Sequence, residues 1–445
     1  MNYQLKKYPK YKPSGIEWIG EIPEHWEVKK LKYEAKIQGG YAFKSEEFVD
    51  SGIPVVRIGD ISTKINIEDC KKTSGTNIPD EFKLKKYDTL IALSGATVGK
   101  MCFIEDDLNA YINQRVAKVN NGSKYLYFIL TSNFFIEQIF LAAGGSAQEN
   151  ISTYTIGNFL IPLPPLPEQT AIANFLDDKT AKIDSLIEKK KKLIELYKEE
   201  RTAVINHYVL GQHLIDNSQL TIDNGQLTIN NGQLTINNYQ LPKHWEVKKL
   251  KYVVKEKIQT GSTPPSNKEE YYKEEIDWFT PSDFSDDLLL LNSKRKISQL
   301  AIDDEVVKLY PCNTVLLVGI GATLGKVGYI VKKASSNQQI NSISFDTLDK
   351  AKYYANFLFA NQSNIVSLAN ASTLAILNQS QTKDIILPVP DEKDLTSIVQ
   401  HIESETKLLD DKIARAEKEI ELLQEYRTAL INEVVTGKIK VIDNG

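Results

Sequence analysis

Residues 22–33 read IPEHWEVKKLKY and residues 241–252 read LPKHWEVKKLKY. Ten of these twelve positions are identical, nine of them unbroken from His25/His244 to Tyr33/Tyr252. The same dozen residues written twice, more than two hundred positions apart, make an internal duplication the first constraint on the fold. Further pairs follow in order. SGATVGK (94–100) returns as IGATLGK (320–326), Asn113-Gln114 as Asn337-Gln338, FLIPLPP (159–165) as IILPVPD (385–391), ERTAVIN (200–206) as YRTALIN (426–432), and Gly211 as Gly437. Most of these lie at a constant shift of 226. With 445 residues, more than one core is expected in any case.

Each copy has two parts. The first mixes short β-type runs (IPVVRIGDI, DTLIALSG, NTVLLVGI) with Gly, Pro and Asn punctuation, the pattern of a small α+β domain. The second is a long helix. Between Asp391 and Thr436 there is no proline or glycine, and apolar residues recur every seven positions. One set is Leu395, Ile402, Leu409, Ala416, Leu423 and Leu430; the other is Val399, Thr406, Ile413, Ile420, Arg427 and Val434. These are the a and d positions of a coiled coil. The first copy supplies Leu176, Ile183, Tyr197 and Val204, with Ala173, Thr180, Ile187, Ile194, Arg201 and Tyr208; Gln169 and Lys190 also fall on its seam. Some forty residues of helix span roughly 60 Å, too long to hide the stripe on so small a domain, so the economical partner is the other helix. The seam leaves parallel and antiparallel pairing open. A tandem repeat that closes on itself favours antiparallel helices with a globular part at each end.

The expected fold class is therefore α+β: a tandem, pseudo-two-fold repeat of two globular mixed domains, each followed by a long helix, the helices pairing as an antiparallel coiled coil. The boundaries are a first domain at 1–165, a helix at 166–211, a linker at 212–240, a second domain at 241–390, a helix at 391–437 and a tail at 438–445. The linker carries NSQLTIDNGQLTINNGQLTINNYQ (217–240), repeats of a seven-residue unit. Asn-Gly steps allow hairpin stubs, while low complexity suits a tether.

Charge and motifs narrow the function. Net charge is −4, unlike the basic excess of a free-standing nucleic-acid binder, though compatible with DNA binding within a complex. The run Lys189–Lys192 reads as a solvated helix face. Cys70, Cys102 and Cys312 are odd in number and far apart, against disulfides or a zinc site; a buried thiol is expected for each. No apolar run is long enough to span a bilayer, and a cytoplasmic protein is expected. GATVGK and GATLGK lack phosphate-loop spacing and its Ser or Thr; a strand end turning through glycine fits them. His25 and His244, beside Trp26 and Trp245, read as packing of a domain edge. Pro79-Asp80-Glu81-Phe82-Lys83 reads as a helix start rather than a compressed nuclease motif. No catalytic constellation emerges.

PSGIEWIGEIPEHWEVKKLKY, GYAFKSEEFVDSGIPVVRIGDIS, GSTPPSN with IDWFTPSDF, GGSAQENIS and PLPPLPEQTAIANFLD together resemble the specificity subunit of type I restriction–modification systems. The resemblance implies two target-recognition domains reading a bipartite site in double-stranded DNA, and a coiled coil that docks two adenine methyltransferase subunits. Restriction/translocase subunits then join. S-adenosylmethionine, ATP and Mg would be bound by those partners, leaving this chain without cofactor or metal and not itself an enzyme. No membrane partner is implied. A methylation-only subunit of the same fold, and a coiled-coil scaffold that binds no DNA, are the rival readings. Base edges call for Arg, Lys, Asn or Gln, and phosphates for Ser, Thr and Lys. The DNA-binding candidates are Lys44, Arg57, Ser94, Lys100, Asn113, Gln114, Arg115, Ser146, Gln148 and Asn150 in the first domain. In the second they are Ser262, Thr263, Thr280, Ser282, Thr323, Lys326, Gln338, Gln339 and Ser372. Two departures stand out. Pro167-Glu168-Gln169 becomes Lys393-Asp394-Leu395, and GGSAQENIS becomes NASTLAILN, which puts Leu374 where Gln148 stood.

Overall fold

The computed structural model describes residues 6–441 except 63–64, 121–122, 145–149, 215–228, 231–232, 237–238, 274 and 370–374. It divides into two compact units, residues 1–191 with 418–445, and residues 192–417. Each unit thus contains the β-rich domain of one copy and helical segments from both copies.

In the first unit a central antiparallel sheet runs in the order Lys36–Gly39, Val116–Asn120, Thr89–Ala92, Met101–Phe103. A second sheet runs Tyr111–Ile112, Ile53–Val56, Lys71–Thr73, Phe48–Val49, with its first pair parallel. The second unit repeats both. Its central sheet is Gln259–Thr260, Ile340–Ser344, Thr314–Val318, Val327–Ile330. Its other sheet is Lys296–Ile297, Ile276–Phe279, Ser335–Ser336, and Trp278–Phe279 lies parallel to Ser335–Ser336. GATVGK and GATLGK close hairpins of the central sheets through glycines at φ 70° and 80° (Gly95, Gly99) and 95° and 83° (Gly321, Gly325). Pro79–Lys83 forms a single 3-10 turn, Asp80–Phe82, held by a 2.7 Å ion pair from Lys83 to Asp80.

The duplicated dozen has one structural task. Its strand Glu27–Lys30 ladders with Leu160–Leu163, and its twin Glu246–Lys249 with Ile386–Val389. Those partner strands feed directly into the long helices. Trp26 and Leu31, like Trp245 and Leu250, are buried beneath the ladder. His25 Nε2 lies 2.8 Å from Glu168, and His244 Nε2 lies 2.7 Å from Asp394, so each histidine ties its strand to the first turn of the helix it feeds. The edge-packing expectation for these histidines misses this tie. The Glu-to-Asp departure keeps the carboxylate. Burial raises the Asp394 carboxyl, but the Trp245 indole N–H and His244 outweigh it and hold the group below the usual carboxylate range.

The long helices run Leu166–Val209 and Glu392–Val435, 44 residues each. Pro167 sits in the first turn, where its missing N–H is harmless. Within each unit the two helical segments are antiparallel. In the first unit Lys190 pairs with Glu419, and Arg427 with Asp184 at 3.0 Å. In the second, Arg201 Nε donates to Asp410 at 2.9 Å. The two arginine pairs are counterparts at the shift of 226, each copy's arginine meeting the other copy's aspartate. The Lys190 and Gln169 seam anomalies are resolved by Glu419 and by Gln169 Nε2 donating to the Pro164 carbonyl at 2.9 Å. Leu176, Ile183, Ile187, Ile194, Leu395, Ile402, Leu409 and Leu430 are buried; Val204, Ile413, Ile420, Leu423, Arg201 and Arg427 are half-buried. Near the helix end the stripe moves one residue on, and Ile205 and Ile431 are both buried. Thr180 and Thr406 satisfy their hydroxyls on the carbonyls of Leu176 and Ile402, each at 2.7 Å.

Two expectations are corrected. Cys70 and Cys102 are buried, and burial pushes both thiols up to about 11. Cys312 is exposed, because it lies beside Asn313 (φ 64°) in the turn that starts Thr314–Val318. The last part of the linker is not a plain tether: Ile229–Asn230, Gln233–Ile236 and Tyr239–Gln240 pair as three antiparallel strands. Its residues 217–228 lie outside the described residues. No single helix among the described residues is long and apolar enough to cross a membrane.

Both helices end at a left-handed glycine, Gly211 (φ 65°) and Gly437 (φ 73°). A Cβ on Gly211 would meet Pro242 at 2.6 Å and Trp245 at 2.9 Å; on Gly437 it would meet Pro23 at 2.3 Å and Trp26 at 3.2 Å. Gly211→Ala is therefore expected to cost about 2–4 kcal/mol, from left-handed strain and overpacking together. Urea unfolding followed by tryptophan fluorescence reads this; an unchanged midpoint would refute the close approach.

Candidate nucleic-acid interface

Four loops and a strand end meet at one end of each central sheet, and six backbone hydrogen bonds hold the meeting point. In the first unit Gly40 N donates to Val116 O (2.9 Å), Tyr41 N to Ile112 O (2.9 Å), and Asn113 N to Val56 O (2.9 Å). Val116 N donates to Asn113 O (2.8 Å), Leu93 N to Arg115 O (2.9 Å), and Ile151 N to Leu93 O (2.9 Å). The second unit repeats all six. Gly261 N donates to Ile340 O (3.0 Å), Ser262 N to Ser336 O (3.0 Å), and Asn337 N to Phe279 O (3.0 Å). Ile340 N donates to Asn337 O (3.3 Å), Gly319 N to Gln339 O (2.7 Å), and Leu377 N to Gly319 O (2.8 Å). Because every one of these bonds is made by backbone, the skeleton survives while side chains change.

Of the candidates in the first domain, Asn113, Gln114, Arg115, Ser94, Arg57 and Asn150 come together here. Gln114, Arg115 and Asn150 are exposed; Ser94 is buried and bridges to Asn150. Arg57 is committed to its own loop, its backbone N donating to Asp60 at 2.8 Å and its Nε lying 3.4 Å from the same carboxylate. Lys44 is exposed at the start of the turn Ser45–Glu47, and Lys100 is exposed at the hairpin end. In the second domain Thr263 donates to Gln338, and Thr280 caps Asp283 just as Arg57 caps Asp60, with Ser282 2.9 Å from the Thr280 hydroxyl. Thr323 is half-buried, and Lys326 Nζ reaches the Phe284 carbonyl at 3.4 Å. Ser146, Gln148 and Ser372 lie outside the described residues. Below Thr280, burial raises the Asp277 carboxyl, but Lys332 at 2.7 Å and Ser293 overcome it and hold it low, pinning the strand that presents the loop.

Sequence reasoning missed Tyr41, Thr260, Asn378 and Gln379. In the second unit a cleft of about 420 Å³ opens between Gln338, Gln339, Thr260, Ile376, Asn378 and Gln379. Gln379 Nε2 donates to the Thr260 hydroxyl at 2.8 Å. The signal that could have found this place is the pair Gly40 and Gly261. A Cβ on either would lie 2.3 Å from the carbonyl oxygen of Asn113 or Asn337. An exposed, amide-rich cleft of this kind offers paired donors and acceptors of the sort that read base edges. His244, Asp391 and Asp394 also bring ligand-type atoms within 4.8 Å. There, however, Asp391 accepts from the Asp394 backbone N at 2.8 Å and Asp394 accepts from Trp245, as parts of the helix start.

The family model for the type I restriction modification DNA specificity domain matches residues 23–196 and, a second time, 242–422. The chain belongs to that family. The MjaIX type I restriction enzyme specificity subunit of Methanocaldococcus jannaschii is 25% identical over 437 residues, covering 95% of each chain. The EcoBI specificity subunit of Escherichia coli is 24% identical, across 87% of this chain and 81% of its own. A solved chain from work on complex assembly and conformational transition of the type I R-M system shares the fold at a TM-score of 0.61 and 16% identity, covering 93% of this chain and 98% of its own. The two family matches coincide with the two copies of the repeat, each running from a recognition domain into the long helix that follows it.

Gly261→Ala should force the Asn337 carbonyl aside and undo the second unit's meeting point while the first is untouched. The expected result is a loss of about 1–3 kcal/mol, seen as faster amide exchange confined to residues 259–263 and 336–341. Uniform protection equal to wild type would contradict the contact.

Proposed function

We infer that this chain is the DNA-reading subunit of a type I restriction–modification complex, acting in the cytoplasm, without catalysis of its own. The observation that carries this reading is the pair of meeting points with one backbone and two sets of side chains, which suits two readers of two different half-sites. Two methyltransferase subunits dock on the long helices, and restriction subunits join them. S-adenosylmethionine, ATP and Mg belong to those partners.

Partner docking has its own support in a duplicated groove. On the first helix it is lined by Lys198, Glu199, Thr202, Ala203, Asn206 and His207. On the second it is lined by Gln424, Glu425, Thr428, Ala429, Asn432 and Glu433, the same six positions shifted by 226. Four of the six are identical, and of these Glu199 with Glu425 and Ala203 with Ala429 are exposed pairs. One turn away, Leu196 and Leu422 are a matched pair of exposed leucines, 49% and 50% accessible, the kind of apolar exposure that marks an interface. A partner that binds twice explains both.

Single-molecule sequencing of adenine methylation in the host, with and without the gene, tests the function. A bipartite motif methylated only when the gene is present is the expected result; an unchanged methylome in cells that express the chain would refute it. Separately, Ala203→Arg with Ala429→Arg should abolish co-purification of the methyltransferase subunits and leave the unfolding free energy from urea titration within about 0.5 kcal/mol of wild type. Retained co-purification would move docking off the groove.

A further inference from the structure

The two meeting points share Gly40 and Gly261, Asn113 and Asn337, and Gln114 and Gln338, and differ at most other positions. Asn113 and Asn337 are shared, and their side chains accept from the backbone N two residues on, Arg115 at 3.4 Å and Gln339 at 3.0 Å. Gln114 and Gln338 are shared and exposed. Shared residues cannot separate two half-sites. Among the positions that differ, Arg57 and Thr280 are engaged with Asp60 and Asp283. Ser94 is buried opposite Ile320. Tyr41 is packed on Phe43 and Phe82, with ring centroids 4.9 and 5.4 Å away. Asn150 is exposed, but its counterpart Ile376 is apolar and offers a base edge no hydrogen bond. Arg115 and Gln339 are the differing pair that puts a base-reading side chain at both places.

These two residues occupy one place. Each carbonyl accepts from the central strand's end, Leu93 N or Gly319 N, and each follows the same Asn-Gln turn. Arg115 is exposed, and among the described residues no carboxylate pairs with its guanidinium. Gln339 lines the 420 Å³ cleft, and its amide is steadied by Asn337 Nδ2 donating to Oε1 at 3.0 Å. In the major groove an arginine fork matches guanine O6 and N7, and a glutamine amide matches adenine N7 and N6. We propose that this position is the base-discriminating residue of each reader, with Arg115 selecting a guanine in one half-site and Gln339 an adenine in the other. The proposal rests on the DNA-reading function above.

The test exchanges the pair in the full chain, expressed with its methyltransferase subunits, and reads the methylated motif. Arg115→Gln should reduce the preference at one G·C pair of one half-site by roughly 5- to 150-fold and leave the other half-site intact. Gln339→Arg should do the same at one A·T pair of the opposite half-site. The retained half-site reports that the variant is folded. Should a variant methylate too little to sequence, competition binding by duplexes substituted base by base decides the matter. Selectivity lost at that single pair supports the proposal. A uniform loss of affinity with every base preference unchanged would assign Arg115 to phosphate and overturn it. A wild-type complex that methylates no bipartite motif would instead bring down the DNA-reading function itself.

Discussion

Each core is closed by a helix end that belongs to the other copy of the repeat. In the first unit Leu430, Ile431, Val434 and Val435 pack with Ile22, Trp26, Ile172 and Leu176. In the second, Ile205, Val209 and Leu210 pack with Trp245, Leu395 and Ile398. Burying three or four such side chains contributes about 5–12 kcal/mol as an upper figure, as much as the whole net stability of an ordinary domain. A single copy, cut from the other, would therefore expose the apolar place its own core reserves for a foreign helix. The duplication is not two independent modules on a string. It is an exchange, and the glycines at 211 and 437 with their prolines and tryptophans are the fittings that seat each exchanged end.

That exchange explains where the sequence is conserved between copies and where it is free. The dozen residues around Trp26 and Trp245 receive corresponding helix ends and ladder with corresponding feeding strands, so ten of the twelve stay identical. The shared skeleton of the two meeting points is made of backbone hydrogen bonds, with one glycine and one asparagine kept in each. Side chains there can change without altering the skeleton, which is the condition under which two readers on one fold can come to prefer different bases.

The repeat, the long helices, their seam and the glycine turns were legible because each writes itself locally, as identity, heptad spacing or a φ that only glycine accepts easily. Less could be read where the partner is far away in the chain. The His25–Glu168 and His244–Asp394 ties span 143 and 150 residues, and the Arg201–Asp410 pair spans 209; no local pattern announces them. The readers' equivalences were also hidden by register. The matching positions are 221 apart at Gly40 and Gly261, 223 at Arg57 and Thr280, and 224 at Arg115 and Gln339. A fixed shift of 226 slides past them. Cys312 was misread because composition makes a lone thiol a core residue, whereas its turn beside a left-handed asparagine keeps it outside.

The two helix starts show how a departure in sequence can be absorbed. Asp394 is one methylene shorter than Glu168, and it turns inward, taking both His244 and the Trp245 indole N–H at 2.9 Å. Glu168 accepts instead from Tyr8 of the N-terminal segment and from His25, and among the described residues the Trp26 indole nitrogen is left buried without a partner. An unpaired buried donor costs about 1–3 kcal/mol. The first unit offsets that cost with contacts of its N-terminal segment. Tyr8 stacks edge-on against Trp26 at 5.8 Å, and the N-terminal segment bridges to the tail through Lys6 and Lys440. The longer carboxylate is thus matched to Tyr8 and His25, and the shorter one to His244 and the Trp245 indole.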